Sequence, residues 1–349
     1  MRTILKLGAA LGLATGWIPG AAALNVFVCE PEWGALAQEL GGDKVSVYAA
    51  TTALQDPHRI EARPSLIARI RSADLLVCSG SELEIGWLPL LLTQSGNSRI
   101  QLGTPGYLEA SQYVAKLEVP TVVDRALGDI HPGGNPHIQT DPRNILKVAA
   151  VLEERLAQLD PADAVTYHSR GKAFLERWRA AIARWEKDAA PLRGVSVVEH
   201  HKAFSYLINW TGMREVATLE PKPGIPPTPS HLAELLDLMK SQPAKVIVYS
   251  SYDSPQAAQF LSERSKIPAV MLPFTVGGTE KAKDLFGFFD DMIGRLDEIV
   301  AGVLGRLRVF PQDLRRPADI AQRQQRAQLH VSLPGIAYQE SVQPLSARR

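Results

Sequence analysis

The feature that most constrains this chain is an alternation of short apolar runs and helical segments that occurs twice, on either side of a long helical middle. In the first half, residues 25–29, 45–50 and 74–78 read as strands, and residues 121–123 as a later one. Between them, residues 33–40 carry a helical pattern closed by Gly41-Gly42-Asp43, and Pro64 opens another helix. Strands separated by helices cannot pair as hairpins. They pair in parallel and form an α/β layer.

The middle changes period. Asp141-Pro142 is a cap followed by proline at the first helical position. Ile145, Val148, Leu152, Leu156 and Leu159 then recur at helical spacing. Asp160-Pro161 repeats the start signal, and Phe174, Trp178, Ile182 and Trp185 carry a second, unusually long helix to about residue 187. The second half returns to alternation. Strands are expected at 195–198, 216–219, 246–249 and 270–272, and helices at 203–210, from Thr228-Pro229 through Met239, at 256–264 and at 280–307. The fold class that follows is α/β: two α/β lobes with mainly parallel sheets, joined by one long linker helix. The expected divisions are an N-terminal lobe over 24–141, linker helices over 142–188 and a C-terminal lobe over 189–308. An arginine- and glutamine-rich basic tail over 309–349 lacks any sustained apolar period and reads as a mobile extension.

Residues 1–23 read as a signal peptide. Arg2 and Lys6 precede an apolar stretch that Pro19-Gly20 breaks before it is long enough to span a bilayer, and Ala21-Ala22-Ala23 offers a cleavage site. Export implies an oxidising compartment for the two cysteines, Cys29 and Cys78. Each ends an apolar run. A disulfide between adjacent parallel strands and a pair of buried thiols both remain open. Two thiols exclude a cysteine-rich zinc cluster. A net charge of +1 gives no basic excess for nucleic acid.

The eight histidines carry the main chemical clue. His58 follows the second strand, and His200 and His201 follow the strand at 195–198. His137 precedes the linker helix. Ligand sites of α/β sheets lie outside the carboxyl ends of the strands, and imidazole suits zinc and its neighbours. Wide spacing carries little specificity by itself, so ordinary structural histidines remain an open alternative at this level.

Longer motifs narrow the choice. Asp56-Pro57-His58, Arg63-Pro64-Ser65 and the run Ala73 to Gly80 with Glu82, Glu84 and Trp87 resemble the family of zinc and manganese ABC-transporter substrate-binding proteins. Asn135-Pro136-His137 followed by Asp141-Pro142-Arg143-Asn144 is similar to that family's second histidine motif, and Val198 to Tyr206 to its third. The resemblance implies two lobes holding a metal between them, with His58, His137 and His201 as ligands and His200 as a neighbour. It further implies a periplasmic monomer that delivers its metal to an ABC permease of the inner membrane and carries out no catalysis. A metallochaperone is a further candidate partner, and nucleic acid is not one.

The chain departs from the family at the fourth ligand. The loop 272–278 after the last strand lacks the common aspartate, leaving Asp253 or water. Three imidazoles without a clear carboxylate favour Zn2+ as the transported ligand, with Mn2+ as the alternative. The histidine-rich loop of some relatives is missing. Only His131 stands near its place, and it reads as solvent-exposed. His168, His231 and His330 read as structural or surface groups, and Glu84 as an orienter of His58 or of another ligand. A siderophore or corrinoid carrier on the same fold and a secreted zinc hydrolase are the competing functions, the latter without an HExxH signature.

Overall fold

A computed structural model describes residues 23–303. The signal peptide call, the basic tail and His330 lie outside the described residues, apart from Ala23. The first sheet contains β1 (Leu24–Val28), β2 (Val45–Ala49), β3 (Leu75–Cys78) and β4 (Tyr107–Glu109) in the order β2-β1-β3-β4, all parallel. The crossovers carry α1 (Pro31–Gly41), α2 (Pro64–Arg71) and α3 (Leu88–Ser95). Every residue of β3 is buried, as expected for a central parallel strand covered on both faces.

The second sheet repeats the plan. Strands β5 (Ser196–Glu199), β6 (Arg214–Thr218), β7 (Val246–Ser250) and β8 (Ala269–Leu272) take the order β6-β5-β7-β8, again all parallel. In both sheets the chain moves to one side of the first strand and then to the other, which opens a crevice beyond the strand ends.

Between the sheets, α4 (Pro142–Leu159) and α5 (Ala164–Asp188) pack against each other. Asp141 accepts a hydrogen bond from Arg143 N and caps α4, while Pro142 occupies the first turn. The 25 residues of α5 span about 38 Å. One continuous apolar core runs from the inner faces of both sheets through α1, α4, α5 and the final helix α9 (Leu285–Val303). Trp178 anchors it. Its ring stacks on Phe174 at 5.3 Å and meets Trp185 and Phe289 edge-on, and its Nε1 donates to the Pro142 carbonyl at 2.8 Å. The outer faces of the two sheets have their own, smaller clusters around Ile70 and Leu235.

Two strand and helix expectations change. Residues 121–123 are not a strand: Val122 and Val123 are exposed, and β4 forms instead at 107–109, where Leu108 is buried beside β3. The last helix begins at Leu285 rather than 280, because Asp284 accepts a hydrogen bond from Gly287 N at 2.8 Å and caps it there. Cys29, at the end of β1, is joined to Cys78, at the end of β3, across a Cα separation of 4.8 Å, which resolves the cysteine question in favour of a disulfide. No described helix is long and apolar enough to cross a membrane.

Replacing Trp178 by alanine removes the central ring of this core and the tie to Pro142. The expected loss is about 3–5 kcal/mol in urea denaturation. A loss below about 1 kcal/mol would show that α5 does not bind the two sheets into one structure.

Candidate metal centre

The loop after β2 presents His58. Asp56 Oδ1 accepts from the His58 backbone N at 3.0 Å and lies 2.7 Å from its Nδ1. Trp87 supports the same loop from below, donating Nε1–H to the Pro57 carbonyl at 2.9 Å. His137 sits on the turn that leads into α4. Asn135 Oδ1 accepts from its backbone N at 2.9 Å, and Asn135 Nδ2 reaches across to the Lys202 carbonyl at 2.8 Å. Gly134 has φ of +92°, and a Cβ there would lie 2.8 Å from the Leu117 carbonyl, so glycine is required for the turn. His201 follows β5, and its Nδ1 lies 2.7 Å from Glu220 Oε2. Glu220 is held in turn by Gly224 N at 3.0 Å.

The three rings stand almost perpendicular to one another, with centroids 5.2–5.3 Å apart. One nitrogen from each lies within 4.8 Å of the other two. The Nε2 atoms of His137 and His201 are 3.2 Å apart, and His58 Nε2 is buried without a hydrogen-bond partner. Ligand nitrogens on one tetrahedral zinc, at about 2.0–2.1 Å each, sit roughly 3.3 Å from one another. Shifts of about 1 Å would bring all three onto one ion. Carboxylates can only accept when ionised, so Asp56 and Glu220 fix the Nδ1–H tautomers and leave the Nε2 lone pairs for a metal. His137 lacks such an acceptor; its Nδ1 is buried without a partner, and the ring packs edge-on against Phe274.

Charge follows the same arrangement. Burial, then the neighbouring His58 and His201, hold His137 well below the ordinary imidazole value. Burial also opposes the charged form of His201, but the hydrogen bond and charge of Glu220 outweigh it and raise that ring's pKa. Asp56 is lowered: burial acts against its charge, and the His58 hydrogen bond overcomes it.

The remaining expected residues lie differently. His200 and Asp253 are outside the three-nitrogen cluster and line a cavity of about 640 Å³ beside it. Asp253 Oδ2 accepts hydrogen bonds from the backbone N and hydroxyl of Ser250. Glu84 does not orient His58. It is buried under the backbone of Ser79 and Gly80, whose N–H groups it accepts. His131 is not a solvent-exposed side chain. Its Nε2 is buried, its ring lies 5.3 Å from that of His58, and burial pushes its pKa down to about 3. The segment carrying it is tied to the second lobe, where Asp129 N donates to the Pro223 carbonyl at 2.8 Å. His168 faces Glu153 on the surface, and His231 contacts the Thr218 carbonyl. Asp56 and Glu220 are the residues that sequence reasoning missed. Asp56 was legible two positions from His58, whereas nothing local links Glu220 to His201.

Residues 26–301 match the family described as ZnuA, zinc-uptake complex component A, periplasmic. The zinc-binding lipoprotein AdcA of Streptococcus pneumoniae is 23% identical over 239 residues, covering 67% of this chain and 46% of its own length. The chain thus spans about half of that relative. The manganese ABC transporter substrate-binding lipoprotein scaA of Streptococcus gordonii is 23% identical over 286 residues, 80% of this chain and 89% of its own. A crystal structure of ZnuA superposes with a TM-score of 0.65 at 19% identity, covering 80% of this chain and 98% of the other, and has the same two-lobed α/β fold. With the match running through both lobes and the helices between them, the chain belongs to the family of the periplasmic zinc-uptake complex component A.

Proposed function

We propose that the protein captures a zinc ion between its lobes, with His58, His137 and His201 as ligands, and delivers it to an ABC permease. The observation that carries this reading is the meeting of three imidazole nitrogens, drawn from both lobes, within 4.8 Å of one another. Neutral nitrogen donors without a carboxylate suit zinc better than manganese, which prefers oxygen. Manganese remains the alternative cargo. Binding is favoured over hydrolysis because Asp56 and Glu220, the carboxylates in contact with the imidazoles, are engaged by their Nδ1 atoms.

One chain supplies all three ligands, which supports action as a monomer. An exported, periplasmic chain fits a permease partner, and a metallochaperone is a candidate donor. The division into lobes at 24–141 and 189–308, with linker helices at 142–188, belongs to the same proposal, as does a removable signal over 1–23.

Separate replacement of His58, His137 and His201 by alanine should each weaken zinc binding by at least about 100-fold in competition with a chromophoric chelator, more than loss of a supporting hydrogen bond. Saturating zinc at about 1,000 times Kd should raise Tm by roughly 10 °C in the parent protein. Variants that retain parental affinity would overturn the assignment.

Acidity gives a second test. A protonated imidazole has no lone pair for metal, and His201 is held above the ordinary value of about 6.5. Affinity should therefore be full at alkaline pH and begin to fall while pH is still above 6.5, by about tenfold per pH unit for one competing proton. Glu220→Gln removes the charge that raises His201, so the fall should move to lower pH, with affinity at pH 8 reduced about 10–100-fold. An unchanged pH profile would contradict the role given to Glu220.

A further inference from the structure

The loop between β4 and α4 crosses from one lobe to the other. Its neck closes where Asn135 N donates to the Leu117 carbonyl at 2.8 Å. Residues 118–134 run outward from there and dock on the turn at 220–225 of the second lobe. Asp129 N donates to the Pro223 carbonyl at 2.8 Å, and Lys222 Nζ to the Ala126 carbonyl at 2.7 Å. The same turn carries Glu220, the acceptor that orients His201, and the Gly224 N–H that holds Glu220. The loop thus rests on the piece of backbone that aims one of the three ligands.

Its apolar side chains add little to that hold. Val119, Val122, Val123 and Leu127 are all exposed. A segment that buries few apolar side chains opens at low free energy, so this loop can dock and undock while the sheets stay in place.

His131 rides on the loop, beside the histidine cluster. Its ring centre is 5.3 Å from that of His58, against 5.2–5.3 Å within the triad. Rings sharing a tetrahedral zinc have centres roughly 5.2 Å apart, counting about 2.1 Å from metal to nitrogen and about 1.1 Å on to the ring centre. The spacing from His58 is already that of a common shell. The Ser81 backbone hydrogen-bonds to the His131 ring. His131 Nε2 is buried without a partner, and so is Nε2 of His58. A buried polar atom left unpaired is costly, and one cation would satisfy both. Asp56 and Glu220 are engaged by imidazole Nδ1 atoms, whereas His131 Nε2 has no bond to give up. His131 stands outside the group whose nitrogens all lie within 4.8 Å of one another. Bringing it in takes a movement of a loop, not of a sheet.

We infer that residues 118–134 close over the captured zinc and deliver His131 Nε2 to it as the fourth ligand, giving a shell of four imidazoles supplied by the chain. This inference rests on the three-histidine reading and names the group that completes it. Undocking the loop withdraws one ligand and loosens the turn that aims another, which gives the ion a route out.

Long-range 1H–15N NMR of the full chain, labelled at histidine, tests it with and without one equivalent of zinc. The expected result is four zinc-bound imidazoles in the parent and three in His131→Ala, which should still bind zinc but at least about tenfold more weakly. Lys222→Ala, at an exposed position, removes the tie to Ala126 and should speed zinc release to a chelator severalfold with all four imidazoles still bound. Three zinc-bound imidazoles in the parent, with His131 unshifted, would overturn the inference and leave the three-histidine reading intact. Four in both the parent and His131→Ala would assign the fourth position to another histidine and also overturn it. Unchanged release from Lys222→Ala would overturn the role given to loop closure. No zinc-dependent shift at His58, His137 or His201 would overturn the metal reading itself.

Discussion

Two hydrogen bonds between imidazoles and carboxylates, His58 to Asp56 and His201 to Glu220, set the tautomers of two of the three candidate ligands. Each consumes an Nδ1 proton and turns the opposite lone pair toward a shared point. Without them the rings would be free to choose the other tautomer, and two of the three donors would lose their aim. The acceptors come from different surroundings: Asp56 lies on the same loop as its histidine, while Glu220 lies beyond β6 and is held by Gly224 N.

The fold supplies the positions. Both sheets have the same parallel order, so both open a crevice at the carboxyl ends of their strands. Helices α4 and α5 and the core around Trp178 hold the two sheets in one structure. The seam between the lobes is polar where it approaches the histidines. Arg59 donates to the Gly224 carbonyl at 2.9 Å, Ser251 to the Ala53 carbonyl at 2.8 Å, and Tyr206 to the Asn135 carbonyl at 2.8 Å. The lobes can thus meet closely around a site and still leave a cavity beside it.

Much of this was legible in the sequence because the signals are local. Proline at helix starts, an Asp141 cap and buried apolar runs mark the strands and helices directly, and the motifs of His58 and His201 follow strands while that of His137 precedes α4. The failures share one cause: they depend on partners far along the chain. Val122 and Val123 have strand-like side chains but no neighbouring strand, whereas the short run at 107–109 gains one in β3. His131 looked like a surface residue because its loop is polar, yet backbone bonding to Pro223 folds it beside His58. Glu84 is near the right loop in sequence but is engaged by the backbone of Ser79 and Gly80. Glu220 carries no local mark at all, since only the packing of β6 beside β5 brings it to His201.

X-ray absorption at the zinc edge of the metal-loaded protein tests the central claim most directly, because it reads the donor atoms themselves. The structure predicts three imidazole nitrogens at about 2.0–2.1 Å, completed by a light-atom donor. A shell dominated by oxygen, with no more than one imidazole, would contradict the meeting of the two lobes on a single ion.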